Sequence, residues 1–307
     1  MFFFIIYNKV MDLTIVLVNY KCDKRKLQSC LNSIQIETEV LLIDHSHDFS
    51  FNGILLPKNL KIRIVKNVNL GNGAGINCGI KNSKTRFILY LDIDTILPSD
   101  FFEILSNTIK KIGNFAIIAP KVNNIYDEKT LDKTGNLTLS QYLYNRIFHN
   151  VSLNETNLPN IKEQFFVSGA IMLIDKNNTY KKGIKFDENI FMFFEENDFF
   201  HQCFKKKEKI FLITDLIAQH IVGGSVNDIS LKYECFKKWH WEYSKYLFFN
   251  KHYNKILVFL IASKSIFKFS LKIFTFYFFN KNRYIIYKSR LNGLLSFYLK
   301  RKCNIDF

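Results

Sequence analysis

Along the first hundred residues short apolar runs alternate with stretches of helical spacing. LTIVLVNY (13–20) is β-branched and apolar throughout, which predicts a buried strand. KRKLQSCLNSI follows, with Leu27, Leu31 and Ile34 at helical intervals. EVLLIDHSHD (39–48) predicts a second strand ending on polar residues, and LKIRIVKN (60–67) a third. NLGNGAGINCGI turns into a helix, and RFILYLDID is another strand. Further on, FFVSGAIMLIDK (165–176) reads as a strand with a small-residue kink, and FLITDLIAQHIVGGSV supplies one more. Strands alternating with helices predict an α/β domain with a mixed, mainly parallel central sheet. In such sheets ligands bind beyond the carboxyl ends of the strands. Asp44, Asp92 and Asp94 all fall at such ends.

After Ser225 the pattern changes. YECFKKWHWEYSKYLFFNKHY mixes basic and aromatic residues, so the chain divides into residues 1–228 and a helical, basic and aromatic region, 229–307. Ile256 to Phe279 is apolar and long enough to span a bilayer, but Lys264, Lys268 and Lys272 interrupt it at four-residue spacing. Each lysine deep in a bilayer costs about 2.5–3.5 kcal/mol on insertion scales, which disfavours a lone span. One basic stripe on an aromatic helix instead describes a segment lying in the membrane interface. Lys281, Arg283, Lys288, Arg290, Lys300, Arg301 and Lys302 extend the basic character towards an anionic leaflet. The alternative is an ordinary packed helical pair with a solvated face.

Composition narrows the classes. A chain of 307 residues, 48% hydrophobic and 16% aromatic, can bury a large core and is not a disordered tail. The net charge of +16 points to an anionic partner. No zinc-finger, helix-turn-helix or RNA-binding signature accompanies it, so nucleic acid is not the expected partner. The six cysteines are scattered without a metal-binding spacing, which fits a reducing compartment. The opening MFFFIIYNKV lacks a basic start and a cleavage site. It reads as an extension before a fold that starts near Asp12.

The candidate chemistry lies in four places. Asp92 and Asp94 stand two apart, so in extended chain they face together while Ile93 turns into the core. Two close carboxylates repel unless a cation lies between them, and magnesium takes one or two carboxylates and completes its shell with water and phosphates. The pair therefore suits a metal–diphosphate complex, or else begins a solvated loop. GNGAGINCG has glycines at 71, 73, 75 and 79, which fails the dinucleotide spacing, and no Walker lysine-serine pair follows. What remains is a tight turn where backbone can approach a ligand, or a plain loop. Glu195, Glu196 and Asp198 form an acidic cluster among phenylalanines. Acids suit a solvated helix start, whereas an aromatic surround raises a carboxylate's pKa towards general-base work. His220 follows the last strand, and its candidacy as a ligand rests on the other sites.

Taken in order, VNY, LIDHS, NLGNGAGINCGI, LDID, VSGAIMLI, FDENIFMFFEENDF and HIVGGS resemble the family 2 glycosyltransferases, inverting enzymes with a GT-A nucleotide-sugar fold. The resemblance runs from Leu13 to Ser225 and is nearest to rhamnosyltransferase-like members that build bacterial surface polysaccharides. It implies that Asp44 contacts the nucleotide base, with Asn19 lining the same pocket. Asn69, Gly71 and Asn77 would shape the nucleotide-binding edge. Asp92 would lie near the ribose and metal, Asp94 would hold a divalent cation (Mg2+ or Mn2+), and His220 matches a position that in some members also reaches the metal. Glu196 falls at the catalytic base, with Glu195 before it and Asp198 after. Three residues depart from the family pattern: Ile93 stands where proline is usual, Glu195-Glu196 replaces Glu-Asp, and His45 replaces asparagine. The second departure leaves the choice between Glu195 and Glu196 open.

The resemblance implies a metal-dependent, inverting hexosyl- or deoxyhexosyltransferase, cytoplasmic and peripheral on the inner face of the cell membrane. Its partners would be a dTDP- or UDP-linked sugar, a lipid-linked glycan acceptor and an anionic membrane surface. The competing expectations are a degenerate member that binds nucleotide sugar without turnover, and a basic membrane-surface binding protein.

Overall fold

The structure is a computed structural model that describes residues 12–124, 158–221 and 230–303. The opening extension, and the glycine pair after His220, lie outside the described residues. The chain divides into two compact units. The first comprises Met1–Asn69, Ala74–Phe186 and Phe199–Asn227, and the second Leu70–Gly73, Asp187–Asp198 and Asp228–Phe307. The helical unit thus takes in two short segments from before residue 228.

The first unit is built on a nine-stranded sheet. Its strands are β1 (Leu13–Asn19), β2 (Thr38–Asp44), β3 (Leu60–Lys66), β4 (Phe87–Leu91), β5 (Thr95–Ile96), β6 (Ile117–Asn124), β7 (Ile161–Glu163), β8 (Ile171–Asp175) and β9 (Ile210–His220). The order is β3-β2-β1-β4-β8-β6-β9-β5, with β7 also paired to β9. The parallel arrangement expected from the sequence holds across β3-β2-β1-β4. Beyond β4 the sheet is mixed: β8 runs antiparallel to both β4 and β6, while β6 and β9 are parallel.

The continuous apolar runs are explained by cover on both faces. In β1, Ile15 and Leu17 pack with Leu27 and Leu31 of α1 (Lys24–Ser33) and Phe101 and Leu105 of α3 (Phe101–Ile112). Val16, pointing the other way, packs with Ile76 and Ile80 of α2 (Asn72–Asn82) and with Phe199 of α4 (Glu195–Lys205). Gly79 is where α2 crosses closest, since a Cβ there would overlap the Val16 side chain.

Two expectations need correction. Asp92–Asp94 is a turn rather than extended strand: β4 ends at Leu91, and the Thr95 amide donates to the Asp92 carbonyl at 3.1 Å. Ile93 is still buried, so the two acids face together through turn geometry rather than strand alternation. Residues 165–170 are not strand either. Among the described residues the run around Gly169 has no ladder partner, and β8 begins only at Ile171.

In the second unit, α5 (Leu231–His252), α6 (Lys255–Phe279) and α7 (Lys281–Leu299) form a helical bundle. Ser230, Asn254 and Asn280 cap their N-termini, each side chain accepting from a first-turn amide. Contacts between α5 and α7 step in fours: Cys235 with Ser289, Trp239 with Gly293, Tyr243 with Phe297. The two helices therefore run parallel, with α6 as the return. Their core holds Phe194, Tyr246, Phe248, Phe249, Phe269 and Leu294. Glu242 is fully buried in it, accepting from Arg290 at 2.5 and 2.9 Å and pairing with Lys245. Among the described residues no helix is long and apolar enough to cross a membrane.

Candidate nucleotide and metal site

Asp92 and Asp94 hang from the carboxyl end of β4, and the register of β5 on β9 places His220 opposite Thr95. The Ile221 amide donates to the Asp94 carbonyl at 3.1 Å, closing that corner. His220 Nε2 consequently stands 3.0 Å from Asp94 Oδ1 and 3.4 Å from Asp92 Oδ2. One ligand atom from each of the three residues lies within 4.8 Å of the others.

Asp94 is 1% exposed, and its near polar neighbour is His220 Nε2, 3.0 Å from Oδ1. Among the described residues neither Asp94 oxygen has a hydrogen bond. A buried carboxylate in that condition is costly, and a bound cation removes the cost. Two carboxylate oxygens and an imidazole nitrogen form a suitable donor set for Mg2+ or Mn2+.

Asp92 is oriented by Tyr90, whose hydroxyl donates to Oδ1 at 2.5 Å. Part of its side chain meets solvent, yet the surrounding protein disfavours its charge, and with the Asp94 charge raises its pKa to about 6. His220 and Tyr90 pull the other way. Burial disfavours charge on His220, but the Asp94 and Asp92 carboxylates outweigh it and raise its pKa. Sequence reasoning missed Tyr90. Its signal was available, since residues two apart on a strand share a face and Tyr90 precedes Asp92 by two.

Asn19 and Asp44 end the neighbouring strands β1 and β2 in register. Asn19 Nδ2 donates to Asp44 Oδ1 at 2.8 Å, and the Ser46 hydroxyl and amide donate to the same oxygen at 2.6 and 3.0 Å. The Phe49 amide reaches Oδ2 at 3.2 Å. Burial would raise the Asp44 pKa, but these donors outweigh it and hold it below the usual carboxylate range. His45 is buried beside Asn67, and burial lowers its pKa.

The glycine stretch separates into two roles. Gly71 has φ +98°, and a Cβ there would collide with the Phe191 carbonyl, so only glycine fits. Asn69, two residues earlier, is half-buried. Asn77 on α2 is committed internally: Nδ2 donates to the Phe186 carbonyl at 2.9 Å, while Oδ1 accepts from the Phe186 amide at 3.2 Å and from the Tyr180 hydroxyl. These bonds fix the backbone at Phe186.

Glu195, Glu196 and Asp198 lie in the first turn of α4. Phe193 and Phe194, just before it, have φ of +63° and +67°. Two consecutive bulky residues in left-handed backbone are strained, and such strain is held where surroundings over-determine it. Here Trp241 packs on both rings, at 5.2 Å each, and Ser244 donates to the Met192 carbonyl at 2.8 Å. Glu195 is buried and Glu196 half-buried. Asp198 is fully buried and pairs with Lys251 at 2.9 Å and His252 Nε2 at 2.6 Å. Lys251 and His252, on the last turn of α5, give Asp198 a fixed structural engagement that the sequence position does not reveal.

An α/β sheet with acidic and amide side chains gathered at the carboxyl ends of its strands is the class of protein these features define. The profile of glycosyl transferase family 2 matches residues 14–180, more than half of the chain, and the protein belongs to that family. No curated protein matches the sequence. Among solved structures, it is similar to S. aureus TarS residues 1–349 at 13% identity and TM-score 0.51, covering 95% of this chain and 92% of that one. The same TarS fragment in complex with UDP gives 13% identity and TM-score 0.50, covering 97% and 94%. GalNAc-T7 with UDP, GalNAc and Mn2+ gives 15% identity and TM-score 0.52, covering 78% of this chain and 50% of that one. At these identities the likeness is one of fold.

Proposed function

We propose that the chain transfers a sugar from a nucleoside diphosphate donor to a glycan acceptor in one displacement, with inversion at the anomeric carbon. The observation that carries this reading is Asp94, buried and without hydrogen bonds among the described residues, beside Asp92 and His220. Those three residues would hold a divalent cation, which when bound neutralises charge on the leaving diphosphate. The UDP of the TarS complex and the UDP and Mn2+ of GalNAc-T7 support the same donor class here. Asp44 and Asn19 would line the base pocket, and Asn69, Gly71, Asn77 and Asp92 the remaining donor edge.

Glu196 would take the proton of the acceptor hydroxyl as its oxygen bonds to the anomeric carbon. The carbon–oxygen bond to the diphosphate breaks, and the nucleoside diphosphate leaves with that electron pair. Glu195 is the other candidate base, and Asp198, paired with Lys251 and His252, would steady the turn that carries both.

The donor would be a dTDP- or UDP-sugar, with rhamnose the nearest analogy, and the acceptor a lipid-linked glycan of surface polysaccharide synthesis. Membrane association rests on α6. Ile256, Leu260, Phe267, Leu271, Phe274 and Phe278 are exposed and recur at intervals that keep one side of the helix. Lys264, Lys268 and Lys272 run alongside, while Val258, Ala262 and Phe269 are buried on the opposite side. That is the pattern of a helix lying in the interface of an anionic cytoplasmic leaflet.

The test is release of nucleoside diphosphate from labelled UDP-, dTDP-, GDP- and CDP-sugars in the presence of Mn2+ and a bacterial lipid extract. One donor class should be consumed, with label recovered in lipid, and Glu196→Gln should abolish that transfer. Loss in Glu195→Gln instead moves the base by one residue. No binding and no turnover with any donor overturns the reading.

A further inference from the structure

Between α5 and α7 lies a cavity of about 580 Å³, within the range of small-molecule sites (about 300–1,000 Å³). Leu231, Trp239, Ile285, Leu295 and Leu299 supply apolar wall. Lys232, Lys288, Arg301 and Lys302 line it as well. Among the described residues none of these four cations is ion-paired with a carboxylate, unlike Arg290 and Lys245 in the same unit. Asn292 and the hydroxyl of Ser296 add neutral polar groups, whereas the Ser289 hydroxyl is already spent on the Cys235 carbonyl at 2.6 Å.

A small inorganic anion would meet the cations and leave the leucine and isoleucine wall wet. A neutral hydrocarbon would cover the wall but gain nothing from the four cations, which stand exposed at its rim. Only an anionic amphiphile satisfies both. We infer that this cavity binds the phosphate-bearing end of an anionic lipid, with the cations on the phosphate and the first part of the chain along Leu231, Ile285, Leu295 and Leu299. The exposed apolar side of α6, in the same unit, is the surface on which such lipids would be met. The inference rests on the membrane reading above only in the source of the lipid. It requires neither the metal site nor sugar transfer.

The test uses the full chain carrying Trp241→Phe, which leaves Trp239 in the cavity wall as the only tryptophan. Its fluorescence is followed during titration with dodecyl phosphate below the micelle concentration, with inorganic phosphate and with dodecyl maltoside. The expected result is a saturable change with dodecyl phosphate alone. Reversing two exposed charges, Lys288→Glu with Arg301→Glu, should weaken it at least about tenfold while leaving the melting temperature in place. Calorimetric titration of the unsubstituted chain repeats the comparison should Trp241→Phe fold poorly. Equal binding of inorganic phosphate would make this a free-anion site and overturn the inference. So would equal binding of the maltoside, or no saturable change with any probe. Sedimentation with vesicles of 30% phosphatidylglycerol separates the two readings. If dodecyl phosphate fails while both proteins still sediment equally, the cavity assignment falls and the membrane reading stands. If it binds but nothing sediments, the cavity stands and the membrane reading falls.

Discussion

Strand β4 has a buried acid near each end. At its start, opposite Phe87 in the ladder, Asp175 is fully buried and accepts from Arg86 at 2.7 and 3.2 Å, from the Asn177 amide at 2.9 Å and from Asn178 at 3.0 Å. Just past its other end, Asp94 is as deeply buried but lies beside Asp92 and His220 and, among the described residues, has no hydrogen bond. The helical unit repeats the first arrangement: Glu242 with Arg290 and Lys245, and Asp198 with Lys251 and His252. At Asp175, Glu242 and Asp198 the surrounding donors hold structure together. A buried carboxylate left without them marks a place where the protein tolerates a cost so that a ligand can remove it.

Substitutions at the two ends of β4 should therefore fail in opposite ways. Asp94→Asn should lower sugar transfer by about 10³-fold, about 4 kcal/mol of transition-state stabilisation, without lowering the melting temperature. Asp175→Ala should do the reverse, costing about 1–3 kcal/mol of stability because the Asn177 amide and the buried Asn178 side chain lose their acceptor, with no effect on donor affinity in whatever fraction stays folded. Glu242→Ala extends that prediction to the helical unit with a loss of the same size. Chemical denaturation and a nucleotide-release assay on the three variants decide the comparison, and a large stability loss in Asp94→Asn would break it.

Much of this contrast could not be read from the sequence. The Asp92-Ile93-Asp94 pattern and the strand ends at Asn19 and Asp44 were visible because a short periodic run fixes what its end presents. His220 joins Asp94 only through the β5–β9 register, a pairing between residues more than a hundred positions apart. Asp198 illustrates the opposite difficulty. It sits beside Glu195 and Glu196 in the chain, but its partners Lys251 and His252 come from the end of another helix. Which strands run antiparallel was equally hidden, since apolar runs carry no direction. The turn at Asp92 was missed because Ile93 is buried in either conformation.

Smaller effects sharpen the picture further. His240 is buried against Phe191, Phe236 and Trp239, and burial lowers its pKa to about 4. The unfolded chain, titrating near 6.5, binds this proton first as pH falls. Stability should be complete above about pH 6.5 and should decline towards pH 4, by on the order of 3 kcal/mol for this group alone. Denaturation curves across that range, compared with His240→Gln, should show a flatter profile in the variant. Tyr90→Phe removes only the donor that orients Asp92, so Mn2+ affinity should drop by about tenfold with the fold intact. Calorimetric titration with Mn2+ reads that value directly.

The central claim is that Asp94 is buried without hydrogen bonds among the described residues because it holds a divalent cation for a nucleoside diphosphate. The most direct measurement is the melting temperature of the native protein and of Asp94→Asn with UDP or dTDP, each with and without Mn2+. A ligand that binds only the folded state must raise that temperature. The account predicts a rise for the native protein that requires both nucleotide and metal, and none for Asp94→Asn. An equal metal-dependent rise in the variant would contradict it.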